Sequence, residues 1–210
     1  MATPYRSTRA IARLARFISM CHGRIVPEGD FGSDVEGIKP VLFDVGKDER
    51  KMEEALGYCR KELADKGTIL YDLEIPPQLK TIVEKHELRA GGSWDCHEAR
   101  NFFGWEADNV VAVISGGYTL EQITRARTRL IVILVEGTGY AETEEYFQRA
   151  RDVGLVFTID KEGREERRES YGYSSYFTEM KAEKKPKRKA TRSYIEDYSD
   201  HRYDMFHLGF

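Results

Sequence analysis

The chain predicts an α/β fold, a mainly parallel sheet with helices on both faces, on three observations. Stretches of strand character alternate with stretches of helical character through residues 7–159, which is the order that crossover helices impose on parallel strands. Two runs, VVAVI at 110–114 and LIVILV at 130–135, carry no polar break, as strands covered on both faces require. Several intervening segments place apolar residues at three- and four-residue spacing among charges, the signature of helices that bury one face.

Each element follows in turn. A first helix is expected over 7–20, with Ile11, Leu14, Ala15 and Ile18 on one face and Ser7 or Thr8 suited to capping it. The sequence HGRIVPEGDFGSDVEG is a Gly- and Pro-punctuated connection. Residues 39–45 read as a strand, 47–66 as a charged amphipathic helix closed by Gly67 as C-cap, and 68–73 as the next strand. Pro76-Pro77 opens a shorter helix towards His86, ended by Gly91-Gly92. The strand at 110–114, an arginine-bearing helix and the strand at 130–135 come next, then a helix over 142–152 and a strand over 155–159. These elements define one domain, 1–160. Residues 161–210, rich in charge and tyrosine, are expected to form a disordered tail.

Composition narrows the function classes. With 210 residues, 40% of them hydrophobic, the chain can bury a real core. No run of 18 apolar residues occurs, and Arg9, Arg13 and Arg16 interrupt the first helix, so neither a membrane span nor a signal peptide is expected. Three widely spaced cysteines, Cys21, Cys59 and Cys96, fit reduced thiols and an intracellular location, nuclear or cytoplasmic. Two of them precede a histidine, but no C-x-x-C spacing accompanies them and no metal site is expected. A net charge of −3 argues against a wholly basic nucleic-acid-binding surface. Locally, Arg6, Arg9, Arg13 and Arg16 share helical spacing, and Lys184, Lys185, Lys187, Arg188 and Lys189 form a dense positive block. Such a block suits phosphate backbones through counterion release, a nuclear-import signal, or a solvated tail. The aromatics around it suit stacking on single-stranded bases or anchoring a protein partner.

Chemistry concentrates in three segments. YTLEQITRARTRLIVILV, 118–135, joins an arginine-studded helix to a buried strand; TPYRST opens the first helix; and ARNFFGWEADNVVAVI, 99–114, runs through a glycine turn into a strand. In this order they resemble motifs VI, IV and V of the UvrD-like, superfamily one helicases. That resemblance implies a RecA-like fold and the second motor domain of an ATP-dependent helicase. It implies that Arg125 and Arg6 reach the γ-phosphate of ATP, that Tyr5 stacks on the adenine, and that Glu106 accepts bonds from the ribose hydroxyls. Gly104 would allow a close backbone approach. A planar guanidinium suits the phosphate role because it pairs bidentately with oxygens and stays charged; such fingers are worth ~10³ to 10⁵ in rate elsewhere. Where the family carries a Lys or Arg beside the motif V glycine, this chain has Phe103.

No G-x-x-x-x-G-K-[ST] occurs, and no strand ends in a paired Asp-Glu. Asp44 and Asp72 each read as a strand-end aspartate. The chain alone is therefore not expected to hydrolyse ATP, and ATP with Mg²⁺ would be held only together with a first RecA-like domain, in cis or in trans. Single-stranded DNA or RNA is the further partner the resemblance implies. A rival reading is a non-catalytic interaction module, or a single-stranded nucleic-acid binder, that kept the fold without the reaction.

Overall fold

The structure, a computed structural model, describes residues 7–24, 35–63, 66–72, 75–90, 93–117, 119–159 and 165–166. Five helices and seven strands alternate in it: α1 (Arg9–Cys21), β1 (Val41–Gly46), α2 (Glu49–Glu62), β2 (Lys66–Tyr71), α3 (Pro77–Ala90), β3 (Ser93–Glu98), β4 (Ala107–Ile114), α4 (Thr119–Ile123), β5 (Ala126–Val135), α5 (Tyr140–Asp152), β6 (Phe157–Ile159) and β7 (Glu165–Glu166). A 3-10 turn, Ala99–Phe102, joins β3 to β4. The strands form one sheet in the order β3-β2-β4-β5-β1-β6-β7. Six are parallel, and only β7 runs antiparallel, against β6. This is the expected α/β class.

Alternation along the strands divides the core in two. Val110, Ala112, Ile114, Leu130, Val132 and Leu134 pack with Ile11, Leu14, Phe17 and Ile18 of α1, Ile123 of α4 and Phe147 of α5. Their neighbours Val111, Val113, Ile131 and Ile133 pack on the opposite face with Met52, Leu56 and Cys59 of α2 and Leu79, Ile82 and Val83 of α3. Both faces of β4 and β5 are thereby covered, which explains why neither run tolerates a polar residue. Register is set by the pairing Val110↔Leu130 through Ile114↔Leu134; a slip of one residue would exchange the two faces.

The helices are stopped and started by identifiable side chains. Asp48 caps α2 by accepting from the backbone N–H of Arg50 at 2.9 Å and of Lys51 at 3.2 Å. Glu49 in its first turn and Arg60 and Lys61 in its last complement the helix dipole. At α1 the expected side-chain cap is not made: Thr8 is the N-cap residue without such a bond, and the Ser7 hydroxyl donates instead to the carbonyl of Ala126 at 2.6 Å.

Two expectations are corrected and one strand is added. Gly67 is no C-cap; α2 ends at Glu62 and Gly67 lies within β2, where a β-carbon would come 2.9 Å from the Trp94 ring. That contact reveals β3, an edge strand with no apolar run. The arginine-bearing helix before 130–135 shrinks to the five residues of α4, because β5 begins at Ala126 and pairs there with Ala107. Arg127 and Arg129 consequently sit on a strand. The tail assignment and the basic block at 184–189 lie outside the described residues, apart from the two residues of β7. Among the described residues no helix is long and apolar enough to cross a membrane.

Candidate functional site

Parallel strands give the sheet two unlike edges. At the edge formed by the N-terminal ends of β4 and β5, the turns that precede the two strands are bonded together: the N–H of Ala107 donates to the carbonyl of Arg125 at 3.0 Å. The N–H of Arg125 in turn donates to the carbonyl of Gln122 at 3.2 Å, which ends α4. Backbone pairing thus seats Arg125 beside the glycine turn at 103–106. Its Nη1 lies 3.5 Å from the carbonyl of Trp105, a contact at the outer limit of a hydrogen bond. Arg125 is half-buried, and no carboxylate among the described residues is ion-paired with it.

The first segment reaches the same edge. Besides the bond from Ser7 to Ala126, the N–H of Thr8 donates to the carbonyl of Arg127 at 3.0 Å. The start of α1 is therefore tied to the two residues that follow Arg125. Tyr5 and Arg6 lie outside the described residues. Gly104 has φ +82°, a conformation that explains the glycine by itself, and a β-carbon there would meet nothing within 4 Å. Glu106 is exposed at this edge.

Two aromatic residues here were given no role from the sequence. Phe103 and Trp105, 55% and 69% exposed, flank Gly104 and leave large aromatic surface in solvent. The signal available was their placement either side of a glycine turn, where a strand-forming pattern would have alternated. Arg127 and Arg129, by contrast, meet acidic neighbours: Arg127 lies 3.7 Å from Asp108, and Arg129 lies 3.7 Å from Glu62. The basic face of α1 is not a free one either. Arg9, Arg13 and Arg16 are half-buried, and Arg13 pairs with Glu36 at 2.5 Å.

The opposite edge holds a different charge. Asp72, 2% exposed, accepts from the N–H and hydroxyl of Ser115 at 2.8 and 3.0 Å and from the Gln122 amide at 2.6 Å. Two donors of Ser115, just after β4, and one of Gln122, within α4, fill this carboxylate, so it clamps α4 onto the sheet. Asp44 accepts from the Tyr140 hydroxyl at 2.7 Å. Burial, then that hydrogen bond to Asp44, pushes the Tyr140 phenol well above the usual tyrosine range. Among the described residues no three His, Cys, Asp or Glu side chains gather as metal ligands would.

No family model matches the chain, and no curated protein matches it. Among solved structures it is similar to the C-terminal domain of a possible DNA helicase from Lactobacillus plantarum WCFS1, at 12% identity over 74% of this chain and 99% of that one, with a TM-score of 0.49. A likeness of that degree carries no chemistry from one protein to the other.

Proposed function

We propose that the chain is the second RecA-like motor domain of a UvrD-like, ATP-dependent nucleic-acid helicase. It would supply the lid side of an ATP site whose phosphate loop and Mg²⁺ ligands belong to a first domain. In this reading Arg125 and Arg6 grip the terminal phosphate, Tyr5 covers the adenine, Glu106 accepts from the ribose, and the turn at Gly104 lets the nucleotide approach the backbone. The observation that carries it is the meeting of three sequence-distant segments at one sheet edge, where Ser7 is bonded to Ala126 and the Arg125 guanidinium lies along the 103–106 turn. A half-buried cation whose contact among the described residues is one long approach to a carbonyl is well placed to take a phosphate oxygen.

The remaining parts of the reading follow from it. Single-stranded DNA or RNA would be the track, the basic residues Lys184, Lys185, Lys187, Arg188 and Lys189 an auxiliary contact to its backbone, and the cell interior, nucleus or cytoplasm, the setting. A second reading, a single-stranded nucleic-acid-binding module without a nucleotide site, is favoured by the exposed Phe103 and Trp105 beside Arg125, since bases stack on such rings irrespective of sequence. Titration of a polypeptide uniting the chain with a phosphate-loop domain, with a fluorescent ATP analogue and with labelled oligonucleotides, separates the two. Nucleotide binding weakened about tenfold by Arg125→Ala, the loss of one charge-assisted pair, is the expected result. Oligonucleotide binding that disappears on Trp105→Ala, with nucleotide binding unmoved by Arg125→Ala, would overturn the helicase reading.

A further inference from the structure

A recess opens at the sheet edge that carries Arg125 but on the α2 side, and Arg125 does not line it. It encloses about 380 Å³ between Thr8, Val35, Ile38, Glu62, Asn109 and Arg129, within the range of small-molecule sites. Its walls are of two kinds. Val35 and Ile38, 62% and 57% exposed, form an apolar rim. Inside, the Arg129 side chain is 11% exposed, its Nη2 lies 3.7 Å from Glu62, and its Nη1 is buried with no hydrogen-bond partner among the described residues. Thr8, 6% exposed, likewise has a buried hydroxyl without a partner. Asn109 donates its amide to the carbonyl of Lys66 at 3.0 Å, which leaves its amide oxygen as an acceptor.

Orphaned buried polar atoms are costly unless something satisfies them. Here a donor on Arg129 stands beside an acceptor on Glu62, and their charges cancel. A phosphate or carboxylate would gain from the guanidinium but meet the glutamate; a purely apolar molecule would leave the arginine N–H unpaired. The complementary ligand is neutral and flat, with apolar faces and one edge that sets a carbonyl oxygen beside an N–H. We propose that this pocket binds a nucleobase edge-on, Arg129 donating to a ring carbonyl, Glu62 accepting from the adjacent ring N–H, and the Thr8 hydroxyl completing the contact. The site stands on its own residues and does not depend on the nucleotide-phosphate role of Arg125.

Amide-resolved NMR titrations of the full chain test it, with uracil as probe, 1,3-dimethyluracil as the same ring without N–H donors, and inorganic phosphate as a bare anion. Uracil is expected to shift the Asn109 side-chain amide and the backbone signals of Thr8 and Arg129. Dimethyluracil should bind about tenfold more weakly, as the loss of one hydrogen bond implies, and phosphate should shift none of these signals. Thr8→Val, which keeps shape, and Glu62→Ala, at a partly exposed position, should each weaken uracil about tenfold while the rest of the spectrum stays unchanged. Equal binding of the methylated ring, a stronger response to phosphate, unchanged affinity in Glu62→Ala, or no response to uracil at its solubility limit would each overturn the assignment.

Discussion

Asp72 and Arg125 show how the same kind of signal, a charge beside a strand, resolves into opposite roles. Every polar contact Asp72 needs comes from within the chain, so its function is to hold α4. Replacing it with alanine strands the Ser115 N–H and the Gln122 amide in a buried site, and Asp72→Ala is expected to lose about 3 kcal/mol of stability in urea unfolding. Tyr146 offers a test in pH. Burial, then its hydrogen bond to Glu142, raises its phenol from 10.0 to about 12. Below pH 10 both folded and unfolded chains keep this proton and its stabilisation is whole. As pH climbs from 10 through about 12 the unfolded chain ionises while the folded one does not, so stability falls. Tyr58 and Tyr140 are raised too, hence Tyr146→Phe should flatten part of the alkaline decline in urea midpoint rather than abolish it. Cys59 is fully buried and desolvation drives its thiol strongly upward. A thiol reagent at neutral pH is expected to modify Cys21 and Cys96, both partly accessible, before Cys59; equal rates would contradict the burial.

At the level of elements, strand pairing overrode local preference. The residues around Arg125 include good helix formers, yet β5 starts at Ala126 because its backbone pairs with β4 from Ala107 onward, and that ladder, with the bonds Ala126 and Arg127 accept from Ser7 and Thr8, outweighs a few tenths of a kcal/mol of propensity per residue. β3 was illegible for a related reason. Trp94 is buried and Asp95 and His97 are exposed on a strand that, among the described residues, pairs with β2 alone, and an edge strand of this sort carries polar residues where a central one could not. The helices that cover the sheet were legible from their spacing, and their weight can be measured. Phe147→Ala, emptying a fully buried position between α5 and the sheet, is expected to cost about 3–5 kcal/mol. Trp105→Ala, at a 69% exposed position, should stay within about 0.5 kcal/mol. A large loss for Trp105→Ala would mean that it packs against more of the chain than the turn suggests.

For the whole molecule, the proposed role requires a second body. The chain alone is expected to release no phosphate from ATP in a steady-state assay, and a polypeptide uniting it with a phosphate-loop domain should do so. In that polypeptide Arg125→Ala should lower kcat by about 10³-fold or more, as finger arginines do elsewhere, with oligonucleotide affinity unchanged; turnover that ignores Arg125 would remove it from the reaction. The class of fold was legible because burial on both faces leaves an unmistakable mark on β4 and β5, and helix faces leave another on α1, α2 and α5. Composition and periodicity therefore determined that strands and helices alternate around a parallel sheet. Tertiary structure alone decided which strand lies beside which, that Ser7 abandons its helix to bond Ala126, that Asp72 is saturated, and that Thr8, Glu62, Asn109 and Arg129 share one recess. Such juxtapositions are fixed by hydrogen bonds between residues as many as 119 positions apart, and a linear pattern records which face a residue takes but not which distant partner it meets there.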